Sequence, residues 1–466
     1  MTPSDVLDRP AASGFSFTQD GLRDIAAEVL GHANRLGASG AETEVTEGIG
    51  QTVTVRRGEV ETIEYNRDKG VGVTVYLGQK RGHASTSDFS RAALARTVEA
   101  ALAIARYTAS DDCAGLADRD LLATDSPDLD LHHPWQLSVE EGIELAQSCE
   151  AAALAVDPRL TNSEGASVAT HQYQFAYANS HGFAGGYPST QHSIYCAVIG
   201  DGEEGMQRDD WYAIARDPRD LDDPVAVGQK AGRRCAARLA ARRIATTQAP
   251  VLFEAPIAAS LIGHFVAAVS GGSLYRKSSF LLDSAGKEIF APIVQLHERP
   301  FLKKGLRSAA FDDEGVATHD REVVRDGVVG GYFLGSYSAR KLGLRSTGNA
   351  GGNHNLILDS TGEDFPGLLA KMGTGLLVTE LLGHGVNNVT GDYSRGAAGF
   401  WVENGVIAYP VQEITIAGNL KEMFRGIVAI GTDIVIRGAR QCGSILMDRM
   451  TVAGASTGST GCTGSW

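Results

Sequence analysis

The sequence predicts an α+β protein made of a small N-terminal α/β unit, a middle α+β unit and a large strand-rich C-terminal domain with a few helices. Three observations carry this. Helical and alternating spacings succeed each other near the N-terminus, turn pairs punctuate apolar extended runs in the second half, and 43% hydrophobic content in 466 residues can fill about two to three domain cores. The boundaries read as 1–20 for a flexible N-terminus, then 21–130, 131–245 and 246–454 for the three units, and 455–466 for a low-complexity, disordered tail.

In chain order, the first unit opens with a helix from Gly21 to Leu36, where Leu22, Ile25, Ala26, Val29 and Leu30 share a face. Two extended runs follow. Gln51 to Tyr65 turns at Arg57-Gly58, and Gly70 to Leu77 alternates at Val71, Val73, Val75 and Leu77. A helix with Leu94, Val98, Ala101, Leu102 and Ala105 on one face completes the unit. After an Asp-rich connector (Asp118 to Asp130), Ser138 and Glu141 form a capping box, and Asp157-Pro158 ends the helix they open. Strands over Ser167 to Tyr177 and His192 to Val198 lead to a helix opened by Asp223-Pro224. It carries Lys230, Arg233, Arg234, Arg238, Arg242 and Arg243, expected to form a solvated face balancing nearby acids, because no aromatics interleave for base stacking. In the last unit Asp326-Gly327 and Asn404-Gly405 mark hairpins. Helical spacing there runs through Pro256 to Val269 and through Phe365 to Leu382, the latter interrupted at Gly373-Thr374-Gly375.

Composition narrows the function. With 42 basic and 56 acidic residues the net charge is −14, which disfavours nonspecific binding to nucleic acid or anionic membrane. No apolar run approaches the roughly 18–20 residues of a membrane span, and Met1 to Gln19 has no hydrophobic signal core, so the expected location is the cytoplasm. The six cysteines (Cys113, Cys149, Cys196, Cys235, Cys442, Cys462) make no C-x-x-C pair, which indicates neither a disulfide framework nor a zinc ribbon. Walker A, dinucleotide-binding and serine-esterase motifs are missing. His297-Glu298 is followed by Arg299-Pro300, so it lacks a second histidine one turn on and cannot sit on a zinc-binding helix. His264 shares an apolar helix face with Ile257, Leu261 and Phe265, where a satisfied core histidine is expected.

The stretch from Gly391 to Pro410 sets a glycine-rich polar loop against an aromatic hairpin, a combination suited to a binding cleft. Its candidate cleft residues are Asp392, Tyr393, Ser394, Arg395, Phe400, Trp401 and Tyr409. Alternation turns about half of the aromatics inward as sheet core. Arg395 is expected either to pair with Asp392 as a loop clamp or to hold a peptide carboxylate.

The runs Gly271-Gly272-Ser273-Leu274-Tyr275-Arg276-Lys277-Ser278-Ser279-Phe280-Leu281-Leu282-Asp283 and Ser336-Tyr337-Ser338-Ala339-Arg340-Lys341-Leu342-Gly343, with Gly391 through Leu420, resemble the TldD/PmbA family, on its TldE (PmbA) branch. The resemblance implies a two-subunit zinc metallopeptidase that admits unfolded peptides, with the metal only in TldD-type chains. Their signature is His-Glu-x-x-x-His on a helix plus a distant cysteine, which leaves a fourth position for water and the glutamate as general base. In this sequence the second histidine falls on His264 and the cysteine on Cys442, while the first histidine falls on Ala259 and the glutamate on Ser260. The implied role is a non-catalytic subunit without a metal of its own, paired with a zinc-bearing TldD-like chain, with His264 and Cys442 reverting to packed residues. Two alternatives stand beside it. One is a peptide-binding or regulatory homodimer without proteolysis. The other is an independent metalloprotease assembled from His354, His384 and Cys442.

Overall fold

The computed structural model describes residues 14–454. The expected disordered tail at 455–466 lies outside the described residues, as does most of the expected flexible N-terminus. Helix α1 (Gln19–Arg35) begins where the Thr18 hydroxyl accepts from Gly21 N, and it buries Leu22, Ile25, Ala26 and Val29. β1 (Gly40–Arg56) and β2 (Glu59–Leu77) form a long hairpin turned at Arg57 and Gly58, both with positive φ. β3 (Lys80–Thr86) then carries α2 (Arg91–Tyr107) back over the sheet. Gly82 permits that close approach, since a Cβ there would stand 1.9 Å from the Ala101 carbonyl oxygen.

The capping box at Ser138 and Glu141 opens α3 (Val139–Leu154) as expected. β4 (Leu160–Asn179), β5 (Ala184–Gly185), β6 (Pro188–Gly202) and β7 (Gly205–Ala215) follow. The connector at 118–130 does not separate two sheets. β1 pairs with β4 from Glu42–Asn179 to Val55–Ala166, so one seven-stranded sheet, ordered β3-β2-β1-β4-β6-β7 with β5 beside β4, runs through both units. One core lies under α1 and α2, and a second lies under α3 and α4 (Pro224–Arg238).

The basic helix departs from expectation in two ways. It ends at Arg238, so Arg242 and Arg243 lie beyond it. Its Arg238 is buried and its Arg234 largely covered, rather than solvated. Arg234 donates to Asp209 at 3.2 Å and to Glu254 at 2.6 Å, and Arg238 to Glu380 at 2.5 Å and to the Arg208 carbonyl at 3.0 Å. Glu254 and Glu380 belong to the C-terminal domain, so these guanidiniums stitch it to the first sheet.

That domain contains β8 (Thr247–Phe253), α5 (Ala255–Ala268), α6 (Gly271–Tyr275), β9 (Leu296–Glu298), β10 (Arg321–Arg325), β11 (Val328–Val329), α7 (Ser336–Lys341) and β12 (Leu356–Leu358). It continues with α8 (Phe365–Met372), β13 (Gly375–Leu382), β14 (Asp392–Glu403), β15 (Val406–Asn419), α9 (Leu420–Arg425), β16 (Ile427–Ile430), β17 (Arg440–Gln441) and β18 (Ile445–Ala453). The larger sheet, ordered β15-β14-β13-β8-β18-β16, closes on itself because β15 also pairs with β18. The smaller is ordered β11-β10-β9-β12-β17. The helical reading of Phe365 to Leu382 holds only to Met372. Gly373, at φ +68°, stops the helix, and the following residues form β13, parallel to β8. β13 is buried at every position from Gly375 to Thr379, so no polar alternation betrays it as a strand. Among the described residues no helix is long and apolar enough to cross a membrane.

The seam supplies a stability test. Replacing Arg238 with Met leaves Glu380 without its guanidinium partner and Asp209 with Arg234 alone, and should lower unfolding free energy in denaturant titration by about 3–5 kcal/mol. A loss below about 1 kcal/mol would mean that the seam is solvated.

Candidate functional site

Helix α5 packs Leu261 and Phe265 into the main core of the C-terminal domain. The four positions marked by the family signature can be followed from it. Ala259 packs partly against that core, and the Ser260 hydroxyl donates to the Ile257 carbonyl of its own helix at 2.6 Å. Cys442, just after β17, is 1% exposed, and burial, with Asp433 nearby, pushes its thiol up to about 12. His264 is not the satisfied core histidine that the sequence suggested. Its Nε2 is buried without a hydrogen-bond partner among the described residues. Its ring meets Tyr393 edge-on at 5.9 Å. Burial, with Arg395 and Arg440 close by, pushes its pKa down to about 4.

These residues do not fit a zinc ion. Two of the four signature positions have no ligand or base, and two guanidiniums stand beside the one imidazole. Among the described residues no three His, Cys, Asp or Glu side chains gather into a metal-holding cluster, and this includes His354, His384 and Cys442. His354 Nε2 is engaged with the Gly348 carbonyl at 2.8 Å, and His384 is exposed on a loop. His297 pairs with Glu322 and Asp359, while Glu298, 1% exposed, accepts from Arg321, Asn349 and the His354 amide. Both are thus structural anchors.

The hairpin places its candidates on both sides of the sheet. Asn404 (φ +52°) and Gly405 (φ +77°) make the expected turn. Asp392 is exposed and does not clamp Arg395; it accepts from Thr390 Oγ1 at 2.6 Å and from Asn419 Nδ2 at 3.2 Å, which lowers its pKa. Ser394 is exposed, with its amide bonded to the Gly385 carbonyl. Tyr393 is 1% exposed in the main core. Phe400 packs with Leu368 and Met372 of α8, whereas Trp401 packs on the opposite, main core. Tyr409, across from Trp401, lies under the Arg242 guanidinium at 4.4 Å. Arg395 is half-buried with Nε unpartnered.

Two features escaped the sequence reading. Arg440 reaches α5 from a strand far along the chain, and no local pattern announces it. A cavity of about 420 Å³ opens between the first sheet and the C-terminal domain, lined by Tyr173, Phe175, Tyr187, Arg307, Phe311 and Asp313 among others. The alternation of aromatics along β4 was its only available signal.

The depressed pKa of His264 fixes the sign of an acid effect. The folded chain protonates it only near pH 4 and the unfolded chain near its ordinary 6.5. Between these values the unfolded chain binds the extra proton, so stability falls as pH drops through this window and is unaffected above it. His264→Phe should therefore lose less stability than the parent between pH 7 and pH about 4.5 in denaturant titrations. Equal losses would show that His264 is not held neutral.

Family models for the PmbA/TldA metallopeptidase match domain 1 at residues 41–105, the central domain at 132–239 and the C-terminal domain at 246–454. The chain is similar to Metalloprotease PmbA of Escherichia coli O157:H7, with 52% identity over 417 residues, covering 90% of this chain and 93% of that protein. A solved structure from Bacteroides thetaiotaomicron, described as a proposed modulator of DNA gyrase, is 26% identical with a TM-score of 0.89, covering 94% of this chain and all of that one. TldE from Thermococcus kodakarensis shares the fold, with a TM-score of 0.83 at 18% identity over 92% of this chain and all of that one. With all three domains matched in order, the chain belongs to the PmbA/TldD metallopeptidase family.

Proposed function

We propose that this chain is the non-catalytic subunit of a cytoplasmic TldD/TldE-type zinc metallopeptidase that cleaves unfolded peptides, with the zinc and the general base residing in a TldD-like partner. The observation that carries this reading is the state of α5. Ala259 and Ser260 stand where the signature needs an imidazole and a carboxylate, and the remaining imidazole is flanked by cations. Loss of a general base alone costs about 10²–10⁴ in rate. The chain then contributes substrate handling. The Val406–Ala408 end of β15 supports this part of the reading, because β18 pairs with Thr415–Ala417 and Arg242 with Pro410–Gln412, which leaves the outer edge beyond them available for strand addition by an extended peptide. The aromatic cavity beside the first sheet gives a second surface for side chains.

Reconstitution tests the proposal. The purified chain should show no cleavage of an unfolded peptide above background, and adding a TldD-like chain should produce cleavage. Cleavage by this chain alone, lost in His264→Ala and Cys442→Ala, would refute it. Peptide binding with no gain of activity on adding the TldD-like chain would instead support a peptide-binding homodimer.

A further inference from the structure

Several arginines of the C-terminal domain meet acidic partners, as Arg321 meets Glu298 and Arg299 meets Glu322. Arg395 on β14 and Arg440 on β17 do not. Neither makes an ion pair with a described residue, and Nε of each is buried without a hydrogen-bond partner. Both flank the same imidazole, His264, whose Nε2 is likewise unpartnered. The fourth member is Tyr393, 1% exposed, with its hydroxyl unpartnered although the Arg395 guanidinium lies near it. The backbone makes room for this arrangement. Gly263 precedes His264 on α5, and a Cβ there would stand 2.8 Å from Arg440 Nη1.

Buried polar groups are normally paired, and unpaired buried cations are costly. Four unpartnered groups at one spot, two of them permanently cationic and none acidic, constitute a site prepared for an anion. We propose that His264, Tyr393, Arg395 and Arg440 bind a carboxylate at the position where catalytic relatives would place their metal. The planar guanidinium forks match a two-oxygen planar acceptor, and the phenol and imidazole N–H can complete its shell. Carboxylate is favoured over phosphate by the surroundings. Tyr393 bridges to the partly buried Val386, and Leu381 and Ala259 pack on the same core, so a doubly charged, strongly hydrated phosphate would lose more water on entry than a monoanion. The carboxylate can come from a peptide C-terminus or from a free small acid. The site lies within this chain, so it stands or falls independently of any partner subunit.

Calorimetric titration of the full chain distinguishes these cases, using a short unfolded peptide with a free C-terminus, the same peptide amidated, sodium acetate and inorganic phosphate. The free-acid peptide should bind, and amidation, Arg395→Gln or Arg440→Gln should each weaken it by about tenfold, the value of one charge-assisted hydrogen bond. Acetate that competes with the peptide would identify any carboxylate as sufficient; peptide binding without acetate competition would identify the C-terminus as the source. Gly263→Ala provides a second route, because alanine suits a helix interior while its methyl would push the Arg440 guanidinium aside, and it should weaken binding in the same way. Melting temperatures of the glutamine variants should equal or exceed the parent's, since an unpaired buried charge is removed. The proposal is overturned if no carboxylate binds, if acid and amide bind equally, if phosphate binds more tightly than acetate, or if the glutamine variants melt far below the parent.

Discussion

Two arginines on one helix, Arg238 buried and Arg234 largely covered, hold the halves of this molecule together. Arg234 and Arg238 project from α4 over the first sheet into contact with Asp209, Glu254 and Glu380, and the last two acids belong to the C-terminal domain. Desolvating a guanidinium is expensive unless its donors are all met, so such a seam tolerates little sliding. The packing nearby is equally fixed. Lys230, Arg234 and Arg437 lie over the ring of Trp211, and Gln207 donates to Gln412 across the same boundary. The position of the C-terminal domain relative to the first sheet, and of the cavity between them, follows from these contacts.

The second pair of arginines shows the opposite behaviour with the same side chain. Arg395 and Arg440 have no carboxylates to meet, and burial pushes the Arg440 guanidinium down with nothing to offset it. Their presence beside His264 explains in electrostatic terms why this helix is no place for a divalent cation, beyond the loss of ligands at Ala259 and Ser260. The site has changed the sign of the charge it can accept.

Features set by local chemistry were legible in the sequence. The capping box at Ser138 and Glu141, the turns at Arg57-Gly58 and Asn404-Gly405, and the helical face from Leu22 to Val29 each depend on residues within a few positions of one another. What escaped was set by distant partners. Arg234 and Arg238 look like a solvated face until Glu254 and Glu380 are brought to them, and β13 hides its period because both of its faces are buried. Arg395 lies three positions after Asp392, close enough to suggest a clamp, but Thr390 and Asn419 satisfy that carboxylate first. The resemblance located His264 and Cys442; only the fold revealed Arg440 beside them.

A chain with Ala259 and Ser260 at these positions of α5 should hold no catalytic metal. Zinc per chain, measured by elemental mass spectrometry on protein purified without chelators, tests it most directly. The value should be near zero. About one zinc per chain, lost on replacing His264 or Cys442, would contradict it.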